Sequence, residues 1–600
     1  TLWVRDITVT DLAGRPREAR LFFHHDFSLY GTDIGDTACY KPEEKALLHY
    51  KGRRYFLINA LSQDGVGLHQ FATGLKRQRG LEGTWADAED GRLSGNPIAQ
   101  GSVDSTCAVH LTVPAAGQAG ACLWIAAAQD WRSVCQLNNQ VAERGPAAFI
   151  RRTADYWRLW LDKEDLDFTG LPPAAVRLYR RSLLIARTNI GNGGAIMAAN
   201  DADILQFNRD TYSCLWPRDG ALVAHALSRA GYPVPARRFF ELCARLITDE
   251  GYFLHKYNPD GSLGSSWHPW PGDGEAYLPI QEDETGLVLW ALWDHFARWR
   301  DIEFIKPLYR PLIKNAAAFL CHYHDPATGL PQPSYDLWEE RLGVHTFTVC
   351  AVIAGLRAAA NFTYAFGETE RGDRYAAAAQ GYREALLQHL FDSRQGRFLR
   401  SKCRDHDGRW QTDDRVDASL YALFAFDVCG AQDPRVAATM KAVHEHLWCH
   451  TDAGGLARYA GDPYQAVQPP SDSVPGNPWI ITSLWYGRYR MARAQTQQAL
   501  DEALPILTWC VQQARPSGVL PEQIDPMTGA AISVAPLTWS HAEYVTAIQD
   551  YLDRREALSR CPHCEHSAAP KYRSHRLSHN HAVQGTPYER QERGGHERRG

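Results

Sequence analysis

The sequence lacks a charge imbalance, a disulfide framework and a repeated metal-ligand pattern. Its formal net charge is −5 over 600 residues. That is too small to suggest a nucleic-acid or anionic-membrane partner. No apolar run is read as reaching transmembrane length, and no signal peptide is read at the start. The chain opens on Thr1 rather than Met, which leaves its native N-terminus open. Its 14 cysteines are scattered singly, often in apolar settings such as Cys243, Cys321, Cys350, Cys429 and Cys510. Reduced, buried thiols are expected, and with them a cytoplasmic location. One CxxC stands near the end, Cys561-Pro-His-Cys564, with His563, His566 and His575 close by. A structural zinc site normally needs two spaced pairs, so zinc there is only a candidate. No metal-ligand cluster is read elsewhere, and no cofactor is expected.

Aromatic residues are plentiful, with 19 Trp and 26 Tyr. Their flat faces and polar tips suit sugar rings, although large cores use them too. Six hundred residues exceed one typical core, so more than one domain is expected.

Residues 1–140 read as β. Short alternating runs such as Ala19–Phe23, Arg54–Ile58 and Ala108–Val113 are separated by Gly, Asp and Pro clusters. An antiparallel β-sandwich is expected there. Residues 141–173 read as a linker containing a helix near 146–165, with Phe149, Tyr156, Trp157, Trp160 and Leu161 at helical spacing.

From 174 to 555 the pattern is helical throughout. Twelve segments are expected, near 174–189, 217–231, 234–250, 282–299, 302–324, 344–366, 370–391, 415–428, 432–448, 477–496, 497–515 and 538–555. Several even-numbered segments are apolar all round and therefore buried, whereas odd-numbered ones such as 370–391 carry more charge. This alternation predicts an all-α (α/α)6 barrel of six helical hairpins. From about 556 the chain is rich in Arg, His, Ser and Gly, and disorder is expected over 556–600.

In a double ring, loops leading from odd to even helices share one mouth. They hold Tyr212, Trp216, Arg218 and Asp219; Trp267, Trp270, Tyr277 and Gln281–Asp283; Trp338, Glu339 and Glu340; Arg458, Tyr459 and Trp479; and Leu520–Gln523. Between Pro333 and Arg341, an acid held against Trp338 would have its pKa raised, which suits a proton donor at neutral pH. Two carboxylates on facing loops, ringed by Trp, Tyr and Arg, form the constellation for glycoside hydrolysis. Glu339 and Glu522 make the best pair. Arg218 and Asp219 suit vicinal sugar hydroxyls. Bland readings stand beside these. Asp219 is an ordinary first-turn acid of a helix, and Trp479 follows an ordinary Asn-Pro helix start.

Five motifs, in order, resemble those of glycoside hydrolase family 15, the glucoamylase family. They are Tyr212-x-x-x-Trp216-Pro-Arg-Asp219, Gln281-Glu-Asp283, Asp336-Leu-Trp-Glu-Glu340, Gly476-Asn-Pro-Trp479 and Leu520-Pro-Glu-Gln523. The resemblance covers about residues 1–555. It implies an N-terminal β-sandwich before the barrel, and hydrolysis with inversion that releases β-D-glucose from non-reducing ends of α-glucans or gluco-oligosaccharides. By it, Glu339 is general acid and Glu522 general base. Arg218, Asp219 and Arg458 bind the terminal glucose, Trp338 and Glu340 shape the site beyond the cleaved bond, and Tyr212 lies beside the catalytic water. Trp479 and Gln523 line the pocket, and Tyr277 falls near a tryptophan position of fungal members. Leu337–Glu340 together with Leu520–Gln523 looks more like glucoamylases than trehalases.

An inverting pair of carboxyls is expected roughly 6.5–9.5 Å apart, against about 5–5.5 Å for a retaining pair. Two other classes stay open. A disaccharide phosphorylase on the same scaffold would replace the base with phosphate, and a non-catalytic sugar-binding protein would need neither carboxyl. Linkage preference among α-1,4, α-1,6 and α-1,1 bonds is open as well.

Overall fold

The computed structural model describes residues 1–572 except 33, 77–82, 201–211, 269–270, 273–274, 277, 405–406, 562 and 565. Trp270, Tyr277 and His575 therefore lie outside the described residues. The chain divides into two compact units, Thr1–Trp160 and the remainder from Leu161.

In the first unit, alternating apolar and polar residues form antiparallel sheets. One sheet runs in the order Leu2–Thr10, Gln118–Ala128, Arg54–Ser62, Ala46–Lys51, Asp36–Lys41 and Ile98–Gly101. A second places Val103–Val113 between Arg17–Asp26 and Gln70–Leu75. The sheets share one apolar core. Leu47, Ile58 and Leu123 from the first meet Cys107, Val109 and Leu111 from the second. Residues 131–140, expected to be β, are helical instead. Asp130 accepts a hydrogen bond from the Ser133 amide at 2.8 Å and starts the helix Trp131–Arg144. Val134 of that helix packs with Ala46, Leu48, Leu57 and Ala126 of the first sheet, so burial on a sheet face overrides the β reading. A second helix, Pro146–Leu161, follows and contains the boundary between the units.

In the second unit the expected segments appear as helices. One set forms a closed circuit of neighbours: Pro217–Arg229, Glu282–Trp299, Thr346–Ala365, the 418–425 segment, Ile480–Arg493 and Thr538–Leu558, which returns to Pro217–Arg229. Pro173–Thr188, Pro233–Leu246 and Thr369–His389 pack against members of this circuit. The helix 415–428 shrinks to a 3-10 turn, Ala418–Tyr421, running into Ala422–Ala425. The segment 302–324 is interrupted at Tyr309–Lys314, beside Pro307 and Pro311, where a π-helical turn replaces the α-helix.

Two expectations are corrected here. Thr346–Ala365 is long and apolar enough to cross a membrane by length and composition, although no such run was expected. Its most apolar window is 89% buried inside the fold, so its composition is that of a central helix. The disorder expected from residue 556 does not begin there. The last helix runs to Leu558, and Lys571 is buried with its Nζ 2.6 Å from Asp553. The Asp167 amide donates to the Lys571 carbonyl at 2.7 Å. Among the described residues, no group of three His, Cys, Asp or Glu is placed to hold a metal ion.

Helices Glu282–Trp299 and Thr346–Ala365 pack at close range through Gly286 and Gly355. A Cβ at Gly355 would meet the Gly286 Cα at 2.7 Å. Gly381, inside Thr369–His389, has nothing within 4 Å of the corresponding point. Gly355→Ala is therefore expected to lower unfolding stability by about 1–3 kcal/mol in urea titration. Gly381→Ala should raise it by about 0.5–1 kcal/mol, since only the backbone entropy term remains.

Candidate active site

The segment from Pro333 to Arg341 is more ordered than a plain interhelical loop. Ser334–Tyr335 and Leu342–His345 pair antiparallel, with Ser334 opposite Gly343 and Tyr335 opposite Leu342. Asp336–Arg341 closes this hairpin, and the following helix starts at Thr346 rather than 344. Buried Asp336 organises the turn. Its Oδ1 accepts from the Glu340 amide at 2.8 Å and the Arg341 amide at 3.1 Å, and its Oδ2 accepts from Arg400 at 3.3 Å. The turn puts Glu339 at φ 65°, a left-handed conformation a non-glycine residue rarely adopts. Such strain persists only where surrounding structure over-determines it.

A second small sheet gathers three more motifs. Leu456–Ala457, Pro478–Trp479, Gln523–Ile524 and Ala531–Ile532 pair in that order. Leu456 lies opposite Trp479, and Trp479 opposite Gln523. Arg458, Trp479 and Glu522 are thus held side by side although 64 residues separate the first from the last in sequence (522 − 458). Glu522 is fixed through its backbone, its amide donating to Val534 at 2.9 Å.

Both arrays face one cavity of about 340 Å³. Tyr212, Trp216, Arg218, Asp219, Trp338, Glu339, Glu340, Arg458, Trp479 and Glu522 all line it. Gln523 does not line it, contrary to expectation. It is fully buried behind the wall, where its amide donates to Glu522 Oε2 at 3.1 Å and its carbonyl accepts from Asn477 at 2.9 Å. Through that contact it braces Glu522.

Arg218, in the first turn of Pro217–Arg229, is the cation of the cavity floor. Its guanidinium lies 3.2 Å from Asp219, 3.6 Å from Asp283 and 3.6 Å from Glu339, and also donates to Gln281. Burial pushes Asp219 and Asp283 up to about 6, against the pull of Arg218. Arg458 is a second buried cation of the lining. It binds Asp462 through two 2.7 Å contacts and Glu340 through a third. Tyr459 donates to the other Glu340 oxygen at 2.5 Å. The Arg458 guanidinium lies 5.0 Å from the Trp338 ring, 4.9 Å from Trp479 and 4.9 Å from Tyr464. Trp338 donates its indole N–H to Asp417 at 3.1 Å.

The pair Glu339 and Glu522 differ from Glu340 in having no short ion pair with arginine. Burial pushes Glu339 up to about 7, with Arg218 and Lys256 opposing and Asp336 reinforcing. Burial also raises Glu522, while hydrogen bonds from Ser533, Gln523 and Tyr212 hold it down. Tyr212 shares a 2.7 Å hydroxyl contact with Tyr464. Several residues of the cavity region escaped sequence reading, among them Tyr464, Gln465 and Trp539 of the lining, and Lys256 and His255. Lys256 places its ammonium 4.0 Å from the Trp267 ring and 5.0 Å from the Trp216 ring. His255 contacts Glu339 Oε2 at 2.8 Å. No spacing marks either residue within Leu254–Gly261.

Fold and cavity define the class: antiparallel sheets, then a circuit of helices holding a cavity lined by carboxyls and indoles. The same fold is seen in a crystal structure of bacterial glucoamylase complexed with acarbose. That chain is 18% identical, with a TM-score of 0.70 over 92% of this chain and 82% of that one. The family model for glycosyl hydrolases family 15 matches residues 175–549, and the chain belongs to this family. A glucoamylase of Clostridium sp. is 24% identical over 371 residues, 58% of this chain and 48% of that protein. A trehalase of Sulfolobus acidocaldarius is 21% identical over 415 residues, 66% of each. The matches thus span about half to two thirds of these relatives' own length.

The raised carboxyl of Glu339 has a consequence for stability. Its unfolded value is 4.5 and its folded value about 7, so the folded state binds the proton more tightly. The stabilisation is full below the unfolded value and is lost as pH rises through about 7. Glu339→Gln is therefore expected to unfold later than wild type at about pH 8, by up to about 3 kcal/mol. The gain should shrink through neutrality and vanish below about pH 4.5, as read by denaturant titration across pH.

Proposed function

We propose that this protein is a glycoside hydrolase that removes β-D-glucose from the non-reducing ends of α-glucans or gluco-oligosaccharides by single displacement with inversion. We further read the circuit of central helices, with the helices packed outside it, as an (α/α)6 barrel whose mouth holds the cavity. The observation that carries the reading is the sharing of one cavity by Glu339 and Glu522, with burial raising the first to about 7.

Glu339 is the general acid. Its raised carboxyl retains a proton that can pass to the glycosidic oxygen as the bond breaks. Glu522 is the general base. Burial raises its carboxyl, while the Gln523 amide donates to it at 3.1 Å, which favours the ionised form needed to deprotonate water. Arg218, Asp219 and Arg458 hold the hydroxyls of the terminal glucose, and Trp338 and Glu340 shape the space beyond it. Tyr212 sits beside the water that Glu522 activates, and Trp216 and Trp479 wall the first sugar site. The pairing of Leu337–Glu340 with Leu520–Gln523 supports a glucoamylase-type substrate. The match to the Sulfolobus acidocaldarius trehalase over 66% of the chain favours trehalose as the second reading.

Purified protein assayed on maltose, maltotriose, isomaltose, dextran, starch and trehalose should release glucose, with the β-anomer first by NMR. Initial α-glucose would overturn inversion, and glucose 1-phosphate formed from added phosphate would overturn hydrolysis. Glu339→Gln and Glu522→Gln should each lower kcat by roughly 10²–10⁴. The pH profile follows from the two carboxyls. Activity should fall above about 7 as Glu339 loses its proton. It should fall on the acid side as Glu522 gains one, at a pH above the ordinary carboxylate range.

A further inference from the structure

We propose that Arg400 is a positioning residue for the turn Asp336–Arg341: from outside the cavity its guanidinium engages a partner of each of Trp338, Glu339 and Glu340, and so fixes the stance of all three toward the leaving group. This rests on the roles given above to those three residues and adds one that the motifs do not contain.

Arg400 is 3% exposed and does not line the cavity. Its backbone belongs to the hairpin that carries the turn. The Thr346 amide donates to the Arg400 carbonyl at 3.0 Å. The strand that follows, Ser401–Arg404, pairs with Leu342–His345, with His345 opposite Ser401. The side chain then reaches three neighbours of the turn.

The first is Asp336, 64 residues away in sequence, whose Oδ2 accepts from Arg400 at 3.3 Å. The same Asp336 holds the Glu340 and Arg341 amides through Oδ1, and its carbonyl accepts from the Glu339 amide at 2.9 Å. The second is Asp417. Its Oδ2 lies 3.0 Å from Arg400 Nε and accepts the Trp338 indole N–H at 3.1 Å. Its Oδ1 accepts from the Ser419 amide at 2.7 Å and shares the indole N–H at 3.3 Å. The third is Tyr459. The Arg400 guanidinium lies 4.1 Å from its ring, and its hydroxyl donates to Glu340 Oε2 at 2.5 Å. Asp417 and Tyr459 are bridged through their backbones, so two of the three partners move as one.

Other cations touch only part of this set. Arg341 lies 5.1 Å and Arg458 5.3 Å from the Tyr459 ring. Asp413 is 3.8 Å from Arg400 Nη1, which makes no hydrogen bond, and 3.9 Å from Arg341. Among the described residues, no other guanidinium pairs with Asp336 or Asp417. A lysine would keep the charge of Arg400. It would lose the planar fork that spans Asp336 and Asp417, and the flat face on Tyr459. Misplacing a reacting group by about 1 Å costs up to about 10²-fold in rate.

The test compares wild type, Arg400→Lys, Trp338→Phe, the double variant, Arg229→Lys and Glu339→Gln on maltose and on α-D-glucosyl fluoride. Fluoride departs without a proton and carries no second sugar, so it bypasses what the turn supplies. Arg229→Lys loses a similar fork, between Asp550 and Asp553, and does not belong to the cavity lining. Thermal unfolding sets a temperature at which each variant is folded. Arg400→Lys is expected to lower kcat/KM on maltose about tenfold or more. Its loss on the fluoride should be at least about threefold smaller. In the Trp338→Phe background the same substitution should cost at least about threefold less than alone, because both act through one indole. Wild-type kcat/KM in Arg400→Lys, equal losses on the two substrates, or additive losses with Trp338→Phe would overturn the proposal. So would the same maltose-selective loss in Arg229→Lys. If Arg400→Lys does not fold, Asp417→Asn carries the same comparisons, since it keeps an acceptor for the indole and drops the charge that Arg400 meets. Full maltose activity in Glu339→Gln would instead remove the acid assignment beneath the proposal.

Discussion

The buried guanidinium of Arg218 is the interaction on which the site depends. Taking an arginine out of water is costly unless charged and hydrogen-bonding partners surround it. Here the partners come from three separate chain segments: Asp219 beside it, Gln281 and Asp283 at the start of Glu282–Trp299, and Glu339 from the hairpin turn. Meeting that one demand brings two helix N-termini and the turn to a common point, which forms one side of the cavity. The acids also sit where helix dipoles favour negative charge. Removing the guanidinium would leave several buried carboxyls unmatched, so the arrangement is cooperative rather than a sum of pairs.

Much of this was legible before the structure. The central helices were readable because a helix apolar on every side has one destination, as Thr346–Ala365 illustrates. The first-unit strands were readable because one face of a sheet alternates with the other. What stayed hidden has physical causes. Strands of two residues, such as Pro478–Trp479 and Gln523–Ile524, are too short to show any period, yet they set which side chains face the cavity. That is why the burial of Gln523 behind Glu522 was not legible. The helix Trp131–Arg144 was masked by its apolar residues, which serve a sheet face. His255 carried no signal, since its contact with Glu339 joins positions 84 residues apart.

Arg458 plays the matching part elsewhere in the lining, with a different result. It takes up Asp462 and one oxygen of Glu340, and Tyr459 takes the other oxygen. Glu339, one residue away, meets Arg218 only at 3.6 Å and a histidine at 2.8 Å, and its carboxyl rises. Adjacent acids on one turn thus meet different partners, Glu340 an arginine and a tyrosine, Glu339 a histidine. The left-handed backbone at Glu339 makes this possible, because it sends consecutive side chains toward different partners.

The charge on the cavity wall then follows. Its cations are Arg218, Lys256 and Arg458, and its carboxyls are Asp219, Glu339, Glu340 and Glu522. With Glu339 protonated, three positive groups face three negative ones. Such a wall has no net pull on an ion, but offers a dense set of donors and acceptors among the faces of Trp216, Trp338 and Trp479. A neutral, hydroxyl-rich ring satisfies both features, since each hydroxyl both donates and accepts and the C–H faces pack on indole. An anion would find Lys256 already caged by two indoles and the arginines already engaged. Ionising Glu339 tips the balance of these lining groups to one excess negative charge. The charge balance of the cavity is thus set by one buried carboxyl.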